Sequence, residues 1–159
     1  MKICLVCSYG GHLAEMLRLT EAFEGHRIFL ITYKERYTMA LDDISKVYLI
    51  PRLIPNFSFK YLSRFLLLAN MIITAVGELF MLLKERPHVI VSTGAEIAIP
   101  ICYLAKFLRK KVVFIESICR INEPSGSAKI IYPVADLFLV QWESLLNKFP
   151  KARYSGRIM

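Results

Sequence analysis

The sequence predicts an α/β fold in which a parallel, Rossmann-like sheet is covered by helices on both faces. Short apolar, β-prone segments alternate along the chain with segments of helical periodicity. Two glycines and a histidine (Gly10, Gly11 and His12) directly follow the first apolar segment, where a strand-to-helix turn is expected. With 55% hydrophobic and 21% charged residues, the composition also excludes a disordered chain.

The predicted elements follow one another in the order of βαβ units. Strands are predicted at residues 2–8, 27–33, 46–50, 88–92, 111–116 and 136–141. Helices are predicted at residues 13–23, 57–86, 97–108 and 128–134. Strands that are joined through helices pair in parallel with right-handed crossovers. No repeat, linker or low-complexity stretch interrupts this order, so residues 1–159 are expected to form a single domain.

The four cysteines are interpreted as reduced, structural thiols. Cys4 and Cys7 have the spacing of a redox pair, but they lie within a predicted strand, where their side chains face opposite sides of the sheet. The chain enters a strand at once, without the charged, apolar and small-residue regions of a secretory signal peptide. These observations predict a protein that works in the cytoplasmic compartment.

The sequence lacks the signatures of common cofactors. The first turn does not carry the G-x-G-x-x-G dinucleotide fingerprint, and no acidic residue ends the second predicted strand. A G-x-x-x-x-G-K-[ST] phosphate loop is also missing from the sequence. The histidines at positions 12, 26 and 88 are scattered and lack the spacing of metal ligands. We therefore expect neither a metal ion nor a bound cofactor.

The positive charge is concentrated in the later part of the chain. The formal net charge is +8 at pH 7. Residues 1–50 carry six basic and six acidic side chains, whereas residues 51–159 carry fifteen and seven. Such an excess suits anionic lipid or a phosphorylated ligand. Nucleic acid is the weaker choice, because no zinc-finger spacing, RRM signature or recognition helix is present.

A long apolar segment, residues 57–86, predicts a membrane-associating helix. Glu78 is the only charged residue between positions 65 and 83, and with Asn70 and Thr74 it forms one narrow polar stripe. Three interpretations remain open: a buried helix of the core, a helix lying in the membrane surface, and a spanning helix. A glutamate near the middle would be costly in a spanning helix, and flanking basic residues favour contact with anionic headgroups. The predicted membrane-contact residues are Lys60, Arg64, Phe65, Leu67, Leu68, Lys84 and Arg86.

Three loops are expected to converge at one edge of the sheet, because each follows the carboxyl end of a predicted parallel strand. They contain Gly10-Gly11-His12, Ser92-Thr93-Gly94-Ala95-Glu96 and Glu116-Ser117-Ile118-Cys119-Arg120. An imidazole, two carboxylates, an arginine and small hydroxyls would then share a site. That combination suits proton abstraction from a hydroxyl next to a phosphate-bearing ligand.

Each loop also has a simpler structural interpretation. Gly10 and Gly11 would serve a tight turn, with His12 as a surface cap. Glu96 would be a favourable charge at the start of a helix, and Glu116 would be a satisfied buried carboxylate. An arginine in a loop, as at position 120, is often simply solvated.

Five sequence blocks follow one another along the chain: GGH-x-x-E-M, STGAE-x-x-x-P, FIES-x-x-R, residues 129–136 with Val140-Gln141-Trp142, and Tyr154-Ser155-Gly156. Together they closely resemble the Alg/PssD/CpsF family, the membrane-associated subunits of two-part sugar-nucleotide glycosyltransferases. The resemblance extends over almost the whole chain. The same layout is similar to the amino-terminal half of MurG, a single-chain GT-B transferase that acts on a lipid-linked sugar.

The resemblance implies the acceptor- and membrane-binding half of a GT-B glycosyltransferase that is inactive without its partner. The complete enzyme would move a sugar from a UDP-sugar, held by a separate donor-binding subunit, to a polyprenyl-diphosphate-linked saccharide at the cytoplasmic face of the membrane. The sequence ends just after Gly156, about where the second domain would begin. Eukaryotic relatives carry an amino-terminal spanning helix that this sequence does not show. Membrane attachment should then depend on residues 57–86 and on anionic headgroups.

The resemblance also suggests roles for the loop residues. His12 is the first candidate for contact with the acceptor hydroxyl, as a general base. Glu116 is the second candidate base, or the group that orients His12. The residues expected to shape the acceptor site are Gly10, Gly11, Gly94 and Glu96, with Arg120 holding a phosphate. Two alternatives stay open: a non-catalytic membrane scaffold that recruits and activates the partner, and a self-contained Rossmann-type enzyme acting on a soluble phosphorylated substrate.

Overall fold

The described part of the chain contains one seven-stranded parallel sheet. The computed structural model describes residues 1–34, 44–51 and 60–158, and for residues 60–68 it describes the backbone only. The strands are β1 (Lys2–Val6), β2 (Arg27–Tyr33), β3 (Val47–Ile50), β4 (Val89–Ser92), β5 (Lys111–Ile115), β6 (Leu137–Val140) and β7 (Arg153–Tyr154). The helices are α1 (Gly11–Arg18), α2 (Lys60–Glu85), α3 (Ala98–Phe107) and α4 (Gly126–Ile131), with 3₁₀ turns at Thr20–Phe23 and Glu143–Leu145.

The strand order places a crevice between β1 and β4. The sheet runs β3-β2-β1-β4-β5-β6-β7, and neighbouring strands are parallel throughout. The chain builds outward from β1 to β3, then returns through α2 to the other side of β1, where Val6 pairs with Ser92. The loops that leave β1 and β4 therefore diverge to opposite faces of the sheet. Open α/β sheets bind ligands at such a switch point.

Apolar side chains alternate between two cores, one on each face of the sheet. Cys4 and Val6 of β1 pack with α2, α3 and α4. Leu5 and Cys7 pack with α1 on the opposite face. Cys4 and Cys7 thus lie on opposite sides of the sheet, as predicted from the two-residue period of a strand. Because both faces of the sheet are covered, the strand sequences are continuously apolar and do not alternate between apolar and polar residues.

The sequence-based prediction of a Rossmann-like parallel sheet is confirmed, and the differences concern short elements and the ends of helices and strands. β7 was not predicted, since two exposed residues are too short to give a periodic signal. α1 ends at Arg18, earlier than expected, because the Thr20 hydroxyl donates to the Leu17 carbonyl (2.6 Å) where the chain tightens into a 3₁₀ turn. α4 begins two residues before the prediction because Ser125 caps it, accepting a hydrogen bond from the Ala128 N–H.

Helix α2 turns its polar stripe inward and its apolar face outward. Asn70, Thr74 and Glu78 are buried against the sheet. The exposed face carries Ile72, Ile73, Val76, Phe80 and Leu83, with Ile72, Val76 and Phe80 each 64% exposed. Within the described residues, no helix combines the length and apolarity needed to cross a membrane. The interpretation of α2 as a buried core helix therefore holds for its inner face only. Contact of its outer face with a membrane stays a prediction.

The predicted membrane-contact residues are only partly described. Lys84 and Arg86 are exposed at the carboxyl end of α2. The side chains of the others lie outside the described residues: Lys60, Arg64, Phe65, Leu67 and Leu68.

Two glutamates one heptad apart on α2 are expected to affect stability in opposite ways. Glu78 is fully buried, and neither carboxylate oxygen has a hydrogen-bond partner among the described residues. Burial raises the pKa of this carboxyl well above its usual value. Glu85 instead accepts hydrogen bonds from Lys2, Lys46 and Tyr48, which lower its pKa to about 2.

We predict that Glu78→Leu stabilises the protein by about 1–3 kcal/mol at neutral pH. The substitution replaces a buried carboxyl that lacks a hydrogen-bond partner among the described residues with an apolar side chain of similar size. The native state keeps the Glu78 proton to higher pH than the unfolded chain does. Stability from this group therefore declines as pH rises above about 4.3, and the gain from the leucine should be larger at pH 8 than at pH 5. Urea unfolding at both pH values measures the difference.

Glu85→Gln is the matched comparison and should cost about 2 kcal/mol at neutral pH, because it removes a hydrogen-bonded charge. The stabilisation from Glu85 is present above about pH 4.3 and is lost as pH falls towards 2, so the cost should fade in acid. Equal effects of the two substitutions at every pH would contradict both assignments.

Candidate functional site

An open cleft of about 440 Å³ lies at the carboxyl edge of the sheet, next to the switch point. Residues from three chain segments line it: the β1–α1 turn, the β4–α3 loop with the start of α3, and the β5–α4 loop with the start of α4. The lining residues are Ser8, His12, Ala95, Glu96, Ile99, Arg120, Ser125, Gly126, Ser127 and Ile130. The convergence predicted for these three loops is therefore present, and it brings His12, Glu96 and Arg120 into one cleft.

The β1–α1 turn holds His12 in the first turn of α1. Gly10 precedes the helix with a φ of 85°, a left-handed conformation that favours glycine. The His12 Nδ1 atom lies 2.8 Å from the Thr93 carbonyl oxygen. In return, the Thr93 hydroxyl donates to the His12 carbonyl oxygen at 2.7 Å. This reciprocal pair of bonds ties the helix to the loop after β4 across the switch point.

The Thr93 carbonyl also determines which imidazole nitrogen is available. A carbonyl oxygen only accepts hydrogen bonds, so Nδ1 must carry the hydrogen and donate it. Nε2 is then the nitrogen with a free lone pair, and no described residue bonds to it. His12 therefore presents a proton-accepting atom in a side chain that lines the cleft.

Gly94 packs directly against the imidazole. A Cβ atom built at position 94 would lie 2.9 Å from His12 Cε1 and 3.2 Å from Nδ1. The backbone φ of Gly94 is 119°, a value that L-residues with side chains rarely adopt. A glycine is thus favoured at position 94 for two reasons: the imidazole occupies the space that a Cβ would need, and the backbone has a positive φ.

Glu116 is buried, and its carboxylate forms no hydrogen bond with His12 among the described contacts. One carboxylate oxygen accepts from the Ser117 N–H at 3.0 Å. The other accepts from the Ser125 N–H at 2.8 Å and from the Ser125 hydroxyl at 3.1 Å. The carboxylate is fully buried and spans the two ends of the β5–α4 loop. The Thr93 carbonyl, and not Glu116, is the hydrogen-bond partner that orients His12.

Two further buried polar residues lie under the same loop, and sequence reasoning did not single them out. Glu15 of α1 accepts from the Ser117 hydroxyl at 2.7 Å and from the Gln141 amide at 2.9 Å. Gln141 also donates to the Glu116 carbonyl and accepts from the Ile158 N–H. Both residues stand inside blocks of the family resemblance. A second feature of the sequence could have pointed to Glu15: it is a glutamate on the apolar face of α1, between the buried side chains of Leu13 and Met16.

Polar and charged side chains form much of the cleft lining. Arg120 is exposed at its rim, and the serines at positions 8, 125 and 127 line it. Glu96 is half-buried in the wall. Among the described residues, no group of three histidine, cysteine, aspartate or glutamate side chains is placed to bind a metal ion.

Comparison with known proteins places residues 61–158 in the family described as "Oligosaccharide biosynthesis protein Alg14 like". A relative from Schizosaccharomyces pombe, named UDP-N-acetylglucosamine transferase subunit alg14, is 32% identical over 92% of this chain and 78% of its own length. The subunit of the same name from Yarrowia lipolytica is 27% identical over 98% of this chain and 80% of its own. The human subunit is 40% identical over 82 residues, which are 48% of this chain and 38% of that protein.

Solved structures share the fold at low sequence identity. MurG of Acinetobacter baumannii superposes with a TM-score of 0.69 at 13% identity, over 90% of this chain and 42% of that one. The UDP-GlcNAc 2-epimerase of Neisseria meningitidis superposes with a TM-score of 0.70 at 12% identity, over 99% and 46%. The chain thus spans less than half the length of these two structures.

The family match covers most of the chain, the Schizosaccharomyces pombe relative aligns over most of both sequences, and the sheet agrees with the MurG-like fold. The resemblance read from the five sequence blocks is therefore confirmed: the chain belongs to the Alg14-like family of oligosaccharide biosynthesis proteins.

Proposed function

We propose that this chain is the acceptor- and membrane-binding subunit of a two-component UDP-N-acetylglucosamine transferase that acts on a polyprenyl-diphosphate-linked saccharide. The observation that carries the proposal is the switch-point cleft, in which Thr93 and Gly94 hold His12 with Nε2 free. The names of the curated relatives support the donor sugar. The position of the chain at the cytoplasmic face of the membrane rests on its reduced cysteines and positive charge.

A separate donor-binding subunit is proposed to complete the site. One Rossmann-like sheet forms only one wall of a site that must hold both a sugar nucleotide and a lipid-linked sugar. The curated relatives are named as subunits of a UDP-N-acetylglucosamine transferase, which supports a partner chain. We therefore propose that a partner chain brings the UDP-sugar to the open side of the cleft.

The proposed reaction is a displacement at the anomeric carbon of the donor sugar. The acceptor hydroxyl oxygen forms a bond to the anomeric carbon. The bond between that carbon and the UDP phosphate oxygen breaks at the same time, and its electron pair leaves with UDP. His12 Nε2 takes the hydroxyl proton as general base. Arg120 and the neighbouring serine hydroxyls hold the diphosphate of the acceptor, since a guanidinium group at the rim complements phosphate oxygens.

The outer face of α2 is proposed to rest on the membrane. Five large apolar side chains are exposed along it, and Lys84 and Arg86 stand at its carboxyl end. A row of exposed apolar residues bordered by basic ones is typical of helices that lie in the headgroup region. The polar stripe faces the sheet and does not oppose such contact.

The two-component hypothesis predicts that the purified chain alone does not transfer sugar. Transfer of radiolabelled N-acetylglucosamine from UDP-GlcNAc to a lipid-linked acceptor should appear only when the donor-binding subunit is added. The partner without this chain is the second control. Turnover by this chain alone would overturn the hypothesis.

Membrane binding is predicted to depend on the outer face of α2. Val76→Asp and Phe80→Asp should release the protein from anionic vesicles, because charged side chains do not enter the apolar part of the interface. Lys84→Gln and Arg86→Gln should each weaken binding by about 1 kcal/mol. Co-sedimentation with vesicles of defined anionic lipid content measures both effects.

Leu49→Asp is the matched control for the membrane experiment. Leu49 is 42% exposed, and its place in β3 directs it away from the neighbouring Tyr48, which packs with the core on the α2 side. This variant should keep full vesicle binding. If it loses binding as strongly as Phe80→Asp does, or if Phe80→Asp keeps it, α2 is not the membrane surface.

A further inference from the structure

Glu15 is a buried carboxylate whose hydrogen-bond partners are neutral groups. It is 6% exposed, and no described ion pair involves it. Its oxygens accept from the Ser117 hydroxyl at 2.7 Å, from the Gln141 amide at 2.9 Å and from the Ile118 N–H at 3.4 Å. Three donors from two other segments therefore converge on one side chain of α1.

The first of these partners leads directly to the cleft. The same Ser117 that donates to Glu15 accepts, through its carbonyl oxygen, a hydrogen bond from the Arg120 N–H at 3.0 Å. Its hydroxyl oxygen also accepts from the Cys119 N–H at 3.3 Å. Two consecutive hydrogen bonds thus connect the Glu15 carboxylate to the backbone of the arginine at the cleft rim.

The other end of the connection is His12. His12 and Glu15 lie three residues apart on α1, a helix of eight residues, so they are carried by one rigid element. His12 faces the cleft and bonds to the loop after β4, while Glu15 faces the loop after β5. One short helix therefore connects His12 with the backbone of the Ser117–Arg120 turn.

The hydrogen-bond donors around position 15 favour a carboxylate there. Hydroxyl, amide and backbone N–H groups all donate, and a carboxylate is a pure acceptor with room for several such bonds. A glutamine of the same shape would direct its own N–H₂ group at one of these donors. The arrangement would then lose a hydrogen bond and the loop would be free to shift.

We propose that Glu15 is a positioning residue, which holds the Ser117–Arg120 turn so that Arg120 meets the diphosphate of the acceptor bound beside His12. The inference rests on the proposed function for the nature of the acceptor. Glu15 itself does not line the cleft. It acts through Arg120, and its loss should affect acceptor binding more than the chemical step, because His12 keeps its bond to Thr93.

The test is a double-mutant cycle on the assembled two-component enzyme. Glu15→Gln should raise the KM for the lipid-linked acceptor about 10-fold and change kcat by less. Arg120→Ala should raise the same KM at least as much, and adding Glu15→Gln to it should have little further effect, since residues that act as a unit are not additive. Glu24→Gln, an exposed glutamate, is the matched control.

Ser117→Ala is a second test of the positioning role, which can be used if Glu15→Gln fails to fold. It removes the hydroxyl link while leaving the carboxylate, and should raise KM in the same direction by roughly 3-fold. Binding of inorganic pyrophosphate, followed by calorimetry on the chain without its partner, gives a readout that is independent of transfer. Both variants should weaken it.

The outcomes separate the inference from the proposed function. Additive effects of Glu15→Gln and Arg120→Ala on KM, or unchanged pyrophosphate binding in Glu15→Gln, would overturn the positioning role. If the wild-type pair transfers no sugar, the proposed function fails. Loss of pyrophosphate binding in Glu15→Gln would still support the positioning of Arg120.

Discussion

Replacing His12 with alanine is expected to lower the turnover of the two-component enzyme by about 10²–10⁴-fold, the usual contribution of a general base. The reason is the hydrogen bond from Nδ1 to the Thr93 carbonyl, which leaves Nε2 as the proton acceptor in the cleft. The measurement is steady-state transfer with saturating partner and acceptor. Binding of the partner and of vesicles should stay at the wild-type level, since His12 is proposed to contact the acceptor hydroxyl and neither the partner nor the lipid.

His88→Ala is the control for this prediction. His88 is exposed and accepts the Lys2 N–H at the start of the sheet, at the edge opposite the cleft. It should change turnover little. If His12→Ala keeps full turnover, this subunit supplies no base and the scaffold hypothesis is preferred. If His12→Ala loses the partner as well, the loop is a subunit interface and the assignment of the site is wrong.

Gly94→Ala is expected to have the second largest effect, lowering turnover by about 10–10²-fold without touching a reacting group. The new Cβ would lie 2.9 Å from His12 Cε1, so the ring must move away from the position that Thr93 determines. Displacements of about 1 Å in a catalytic group cost activity of this order. The φ of 119° adds strain of about 1–3 kcal/mol to the folded state. Transfer assays and urea unfolding measure the two effects separately.

A substitution at a second glycine distinguishes the effect of backbone strain from the effect of displacing the His12 ring. Gly25 also has a positive φ, 76°, but a Cβ there would meet nothing within 4 Å. Gly25→Ala should therefore lower stability and leave turnover unchanged under conditions where the protein is folded. In the His12→Ala background, Gly94→Ala should cause little further loss of turnover. Full activity of the Gly94→Ala enzyme would show that the imidazole position is not critical.

The sequence by itself determined the local elements and the turns between them. The strands were predictable because each is a short, β-prone apolar run, and the sheet covers both faces of these runs with helices. The turn after β1 was predictable because Gly10 stands where the backbone needs a positive φ. The convergence of three loops was predictable too, since the carboxyl ends of parallel strands share one edge.

The tertiary structure alone decided which side chains meet at that edge. Glu15 and its partners Ser117 and Gln141 are separated by 102 and 126 residues in sequence, and no local pattern reports such hydrogen bonds. The inward direction of the Asn70–Glu78 stripe also became visible only when α2 packed on the sheet. Glu116 was a candidate base from its position after β5, yet its hydrogen bonds to Ser117 and Ser125 bury it. Periodicity reports which face of an element is apolar, whereas the partner of a buried polar atom depends on contacts between distant segments.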